Sequence, residues 1–362
     1  MYRTITKIAG SFIIIISIII TATWLLIAQQ TKDTIKKWAN NQIKNDIKVN
    51  WERISIDGYP ININVEINKP HIVAKNFNSQ ITWKPTFITL NFSPIKPRVI
   101  KYYSSGLHTL NIVYGTTKWS TKIISDTLKG EILLKPQKQF REKVHGEFTN
   151  LRFKMPHWEK ALEIQQGKFD STVKTRAFIN PKSLHPYKNS FSLNLSAQNI
   201  KITNNLPSEN TKKRLGNTLE KLSFELAFNG YLDTQAIDNK KLIRWRNAGG
   251  SLDVNSIFLK WGSIEIYANG TLALDENLQP IGTFITQIIS ADKLVNGLIK
   301  SGTLSKKNSI LIQIALAALT RESNENKNKI IEIPITLHNS KVSIGPISLI
   351  KLPIIFWPEI HS

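Results

Sequence analysis

The hydrophobic pattern changes period twice along the chain. From Ile8 to Ile27, "IAGSFIIIISIIITATWLLI" contains no charged side chain. A helix of that length, at about 1.5 Å per residue, spans roughly 30 Å, the hydrocarbon thickness of a bilayer. An unpaired backbone amide in lipid costs several kcal/mol, so a lone span is helical. The pattern predicts a transmembrane anchor over residues 8–27, carried by Ile8, Phe12, Ile16, Ile20, Trp24 and Ile27, with the Trp24 indole near one interface. A cleaved signal peptide fits less well. The best cut, after Ala28, places Leu26 at −3, and the apolar run exceeds a usual h-region. A core helix at a terminus is seldom apolar all round.

Beyond the anchor the period is that of an amphipathic helix. Over Thr31–Asp46, Ile35, Trp38, Ala39 and Ile43 fall on one stripe with lysines opposite, which predicts a stalk over residues 28–48 that lifts the remainder off the membrane. The period then becomes two. Ile61, Ile63, Val65 and Ile67 alternate with Asn62, Asn64, Glu66 and Asn68, the pattern of a strand with one buried face. Gly58-Tyr59-Pro60 reads as the turn before that strand and Lys69-Pro70 as its end. Similar segments follow: "QITW", "FITLNFSP", "HTLNIVY", "GEILLKP", "GEFTNLRFKM", "FSLNLSAQNIKIT", "KLSFELAFNGYL", "GSLDVNSIFLKW", "GSIEIYANGTLALD", "PIGTFITQI", "EIPITLHNSKVSI" and "ISLIKLP". In "YANGTLAL" the Asn-Gly pair predicts a type I′ hairpin turn.

Helices are few. The candidates are Ser208–Leu219, Ala291–Lys300 with Ser290 as cap, and Ile310–Leu319, which is too short to span a bilayer and is expected to pack on the sheet. Arg321–Lys329 reads as a polar loop. The fold class is mainly β with minor α: a curved antiparallel meander with a few packed helices, after an N-terminal transmembrane helix. The expected organisation is a tail over 1–7, the anchor over 8–27, the stalk over 28–48 and a β-rich domain over 49–362, with a possible inner boundary near 181–210.

Charge narrows the surroundings. The chain has 48 basic and 26 acidic residues, a formal net charge of +22. From Lys96 to Lys160 there are 13 basic and five acidic side chains. Such a surface near a bilayer draws anionic headgroups or other envelope polyanions, or is simply solvated. No basic helix or nucleic-acid motif is present, and the anchor argues against nucleic acid as partner. Both flanks of the anchor are basic, so the positive-inside count does not orient it. A short N-terminal tail usually stays inside and long domains translocate regardless of charge. The absence of cysteine fits an oxidising compartment. These points place residues 1–7 in the cytoplasm and the β-rich domain in a bacterial periplasm.

No reaction is written in the motifs. The seven histidines (His71, His108, His145, His157, His185, His338 and His361) are scattered, and no short carboxylate or cysteine cluster supports a metal. No GxSxG elbow, Walker loop or GxGxxG occurs. The expectation is a non-enzymatic protein without cofactor or metal. Seven tryptophans lie beyond the stalk: Trp51, Trp83, Trp119, Trp158, Trp245, Trp261 and Trp357. They either anchor a core or line a lipid- or glycan-binding wall.

With these segments in view, the chain resembles an uncharacterised bacterial envelope family, catalogued as domain of unknown function 2125. The resemblance is carried by the anchor, "ISIDGYPININVEINKP", "WRNAGGSLDVNSIFLKWGSIEIYANGTLALDENLQPIG" and "IEIPITLHNSKVSIGPISLIKLPIIFWP". The positions that match its pattern are Gly58, Tyr59 and Pro60, then Trp245, Gly249, Gly250, Trp261 and Gly262, then Gly345, Pro346, Leu352, Pro353, Trp357 and Pro358; Tyr59 stands where Phe is usual. The middle stretch is similar to the C-terminal repeats of AsmA-like envelope proteins, which are membrane-anchored and associated with phospholipid traffic and outer-membrane assembly. The expected function is to bind or shelter lipids or other amphipathic envelope components at the cytoplasmic membrane. The competing expectation is a scaffold for other envelope proteins.

Overall fold

A computed structural model describes residues 2–76, 79–115, 117–134, 141–154, 161–174, 190–201, 216–230, 239–300, 320–322, 329–345, 347–355 and 357. The chain is mostly antiparallel sheet, not closed on itself, with an N-terminal apolar helix. It forms two compact units, Met1–Lys122 with Thr127–Leu134, and Ile123–Asp126 with Lys135–Ser362. Residues 190–201, within the interval expected to hold an inner boundary, form a strand of the second unit; 181–189 and 202–210 lie outside the described residues.

The first unit begins with α1 (Tyr2–Gln42), one uninterrupted helix. A 3₁₀ turn over Ile43–Asn45 follows, and Asp46, at φ 56, closes it by donating its N–H to the Ile43 carbonyl. The helix therefore ends short of the expected stalk boundary, and Ile47 and Lys48 already belong to a strand. The stripe also differs from the expected one. Ala39 is buried and Ile35 packs against the core, but Trp38 and Ile43 are exposed. Trp24, Ala28, Ile35 and Ala39 make a continuous seam along which the first strands pack, so this segment lies on the sheet.

The strands of this unit are β1 (Ile47–Asn50), β2 (Arg53–Asp57), β3 (Ile63–Asn68), β4 (His71–Asn76), β5 (Ser79–Pro85), β6 (Phe87–Ser93), β7 (Lys96–Tyr103), β8 (Gly106–Tyr114), β9 (Thr117–Ser125), which runs on into the second unit, and β10 (Thr127–Leu133). They are halves of long, kinked strands. β4 pairs with β5 while β3 pairs with β6; β6 pairs with β7 while β5 pairs with β8. At each kink the ladder is bridged by one backbone bond: Lys69 N–H to Thr86 O (2.9 Å), Thr86 N–H to Leu107 O (3.0 Å), Ser104 N–H to Leu128 O (2.7 Å). Lys69-Pro70 ends β3, as expected, and bends the chain there. Lys69 turns through the left-handed region at φ 45, and the chain resumes as β4. The core centres on Ile63 and Val65, both at 0% exposure against Ala28.

The second unit contains β11 (Arg141–Phe153), β12 (Leu162–Lys174), β13 (Phe191–Lys201), β14 (Thr218–Asn229), α2 (Asn239–Asn247), β15 (Ser251–Trp261), β16 (Ile264–Leu274), β17 (Pro280–Ile289), α3 (Ala291–Lys300), β18 (Thr320–Glu322), β19 (Lys329–His338), β20 (Lys341–Ile344) and β21 (Ile347–Lys351). From β11 to β17 each strand pairs antiparallel with the next. β17 continues to β19, which also pairs with β18 and β20, and β20 pairs with β21.

Several expectations change here. Asn269-Gly270 makes no turn; both residues lie inside β16. Gly270 is required by close approach instead, since a Cβ there would lie 2.2 Å from the Thr283 carbonyl oxygen. The hairpin turn is at Gly262, with φ 58. β12 and α2 carry no alternation or cap that announced them. α3 begins one residue after Ser290, as expected, with the Lys293 N–H on the Ser290 carbonyl. Of the expected helix at 208–219, Thr218 and Leu219 open β14 and 208–215 lie outside the described residues, as does the expected helix at 310–319. Of the expected loop at 321–329, Arg321 and Glu322 are in β18, Lys329 is in β19, and 323–328 lie outside the described residues.

Candidate functional site

The register of the second unit sorts its side chains onto two faces, because directly paired residues project to the same side. One row runs Leu195, Phe224, Ile257, Ala268, Thr286, Ile333. A second runs Ala197, Leu222, Leu259, Ile266, Ile288, Ile331, and a third Leu193, Leu226, Val254, Gly270, Phe284, Ile335. Thr286 is the only polar side chain in these rows. At the β17–β19 end the rows pack under Ala291 at the start of α3. Toward β13 and β14 the large members, among them Leu195, Phe224 and Ile257, are half-buried and retain accessible surface. The opposite face carries Asn194, Glu225, Thr271 and Gln287, all exposed, together with Tyr267 and Ile285, which are 43% and 53% exposed. One face is thus continuously apolar across six strands, and the other is mixed.

Along one line the same unit is creased. Asn150 and Asn199 take left-handed backbone angles (φ 49 and 51) inside β11 and β13. Their amides bond across the crease, Asn150 Nδ2 to Asp126 Oδ2 and Asn199 Nδ2 to Gln165 Oε1, each at 2.6 Å. A pocket of about 490 Å³ opens there, lined by Asp126, Asn150, Arg152, Glu163, Gln165 and Lys201 among others. Arg152, Glu163 and Lys201 stand opposite one another on adjacent strands, so charge alternates across the pocket. Lys201 Nζ lies 3.4 Å from Glu163 Oε2. The arrangement offers donors and acceptors of both signs to a polar group.

The anchor residues divide by face. Phe12, Ile16 and Ile20 are exposed, Trp24 and Ile27 are half-buried against the first unit's core, and Ile8 lies in α1 with its side chain outside the described residues. Trp24 Nε1 donates to the Asn62 carbonyl (2.9 Å), and its ring meets Tyr59 edge-on at 5.7 Å. The Tyr59 hydroxyl lies 2.7 Å from Thr21 Oγ1. Gly58 has φ 98, and a Cβ there would sit 2.7 Å from the Asn62 carbonyl oxygen, so glycine is needed to close this turn. The Tyr59–Pro60 peptide bond is cis.

The remaining pattern residues are packing devices. Trp245 is buried in α2, stacks on Phe228 at 4.8 Å and donates Nε1–H to the Asn229 carbonyl (2.8 Å). Gly249, at φ 76, ends α2, with Gly250 N–H on the Trp245 carbonyl, the bonding of a Schellman cap. Trp261 Nε1 donates to the Gly216 carbonyl (3.1 Å), and Gly262 N–H to the Glu220 carboxylate (2.9 Å). Trp357 packs on Trp245 and Leu278, and its Nε1 donates to the Leu278 carbonyl (2.6 Å). Gly345 has φ 52, Pro353 is exposed, and Pro346 and Pro358 lie outside the described residues. Sequence reasoning marked these glycines and tryptophans but not that Trp245 fills the space beside Gly250.

Among the histidines, His108 is buried and stacks on Trp83 at 6.0 Å; burial holds its pKa below the ordinary value. His71 is lowered by burial and then by Lys84. His145 Nδ1 lies 2.7 Å from Asp170 Oδ1 on the surface. His157, His185 and His361 lie outside the described residues. No group of three or more metal-ligating side chains occurs among the described residues.

These features define an antiparallel β protein fastened along an apolar helix long enough to cross a membrane. The chain belongs to a bacterial family described as "Uncharacterized protein conserved in bacteria (DUF2125)", whose model matches residues 24–353. No curated protein and no solved structure matches the chain.

Proposed function

We propose that this is a single-pass protein of the bacterial cytoplasmic membrane whose β-rich part lies in the periplasm and binds or shelters lipids or other amphipathic envelope components, without catalysis. The observation that carries the reading is the three-row apolar face of the second unit. Apolar surface withdrawn from water gains about 25 cal/mol per Å², so the area these half-buried side chains still expose favours an apolar occupant. The excess of 48 basic over 26 acidic residues attracts anionic headgroups. The lack of cysteine, which fits an oxidising compartment, supports the periplasmic orientation.

The test has two arms. A C-terminal alkaline phosphatase fusion is expected to be active, and activity only of a cytosolic reporter contradicts the orientation. The purified full-length chain is expected to bind labelled phospholipid saturably, and Phe224→Asp to weaken that binding at least tenfold. Copurifying protein with no saturable lipid binding points to the scaffold reading instead.

A further inference from the structure

The depth at which the first turn is fixed on the anchor carries an inference about the bilayer. Thr21 Oγ1 donates to the Ser17 carbonyl, so the Tyr59 hydroxyl is the donor in its 2.7 Å bond to Thr21. Trp24 binds the Asn62 carbonyl on the other side of the same turn. Both helix residues lie within the apolar run that ends at Ile27. Thr21 is about 9 Å below that end at 1.5 Å per residue. The turn is therefore held beside hydrocarbon, not above it. Its composition agrees. Residues 58–62 carry no charge, Ile61 is 66% exposed and Tyr59 52%. Three polar groups of the turn that lipid would otherwise leave unpaired have partners: the Tyr59 hydroxyl in Thr21, the Asn62 carbonyl in Trp24, and the Asn62 N–H in the Gly58 carbonyl (3.0 Å).

A second turn lies at the same end of the sheet. Ile63 pairs with Phe92 and Ser93 with Lys96, so the β6–β7 turn lies beside the start of β3. Its tip, Ile95, is 86% exposed, and Lys96 and Arg98 beside it are exposed with no ion-pair partner among the described residues. An apolar tip flanked by cations suits a boundary where acyl chains lie below and phosphates level with it.

We propose that the turns at 58–62 and 94–98 are seated in the phospholipid leaflet from which the sheet emerges, with Ile61 and Ile95 among acyl chains and Lys96 and Arg98 at the phosphates. The sheet then begins inside the lipid interface. This rests on the anchor alone and stands whether or not the apolar face takes lipid.

The chain has no cysteine, so single nitroxide labels are unambiguous. Ile61→Cys and Ile95→Cys would be labelled in the full-length chain in phosphatidylethanolamine–phosphatidylglycerol nanodiscs. Phe12→Cys serves as the membrane reference. Lys75→Cys serves as the aqueous reference, since Lys75 bonds Asp46 beyond the far end of α1. All four sites are exposed, so the substitutions leave the core intact. The labels at 61 and 95 are expected to group with 12, with collisions to oxygen exceeding those to a soluble nickel chelate. If they group with 75, the proposal is overturned.

Discussion

A Cβ on Gly250 would lie 2.2 Å from Cε2 of Trp245. The indole cannot retreat, because it is 5% exposed, stacked on Phe228 and bonded to the Asn229 carbonyl. Gly250→Ala is therefore expected to destabilise the second unit by about 1–3 kcal/mol, the usual range for overpacking. Urea unfolding of the full-length chain in detergent measures this; an unchanged midpoint contradicts the packing described.

Thr286 presents the reverse case. It is 3% exposed within the apolar rows, and its Oγ1 has no hydrogen-bond partner among the described residues. Thr286→Val keeps the shape and removes a buried hydroxyl, so it is expected to stabilise by about 1 kcal/mol, seen as a raised Tm. A lowered Tm shows that the hydroxyl is bonded.

His108 gives the fold an acid-sensitive element. Its folded pKa is lowered by burial from 6.5, so below that value the unfolded chain binds more protons. Stability is whole above pH 6.5 and falls as the pH drops toward the folded pKa. His108→Leu is expected to flatten the decline of the urea midpoint as the pH falls below 6.5, with His71 retaining part of it. An unchanged slope shows that His108 is not its source.

The apolar N-terminal helix was legible from its uncharged run, which is long enough to cross a membrane. So was β3, from the alternation Ile63, Val65, Ile67; Ile61, expected on the same buried face, lies in the preceding turn and is exposed. The seam between them was legible only in part: Ile35 and Ala39 stood on the expected stripe, but the same stripe included Trp38 and Ile43, which are exposed, and missed Ala28. The creases were hidden because Asn150 and Asn199 turn left-handed inside strands, where sequence alternation predicts an uninterrupted run. In β12, Gln165-Gln166-Gly167 shows no apolar alternation because Phe148 covers Gly167 from the neighbouring strand. Asn269-Gly270 has the composition of a turn, but at Gly270 the requirement is room for Phe284 and the Thr283 carbonyl. The apolar face could be inferred strand by strand, and only the register assembled it into rows.

The central claim is that the apolar rows contact lipid. A photo-activatable phenylalanine analogue at Phe224, on those rows, and at Glu225, on the opposite face, reads this directly in cells after mass spectrometry of the crosslinked protein. Lipid adducts are predicted at 224 and not at 225; their absence at 224, or equal yields at both, contradicts the account.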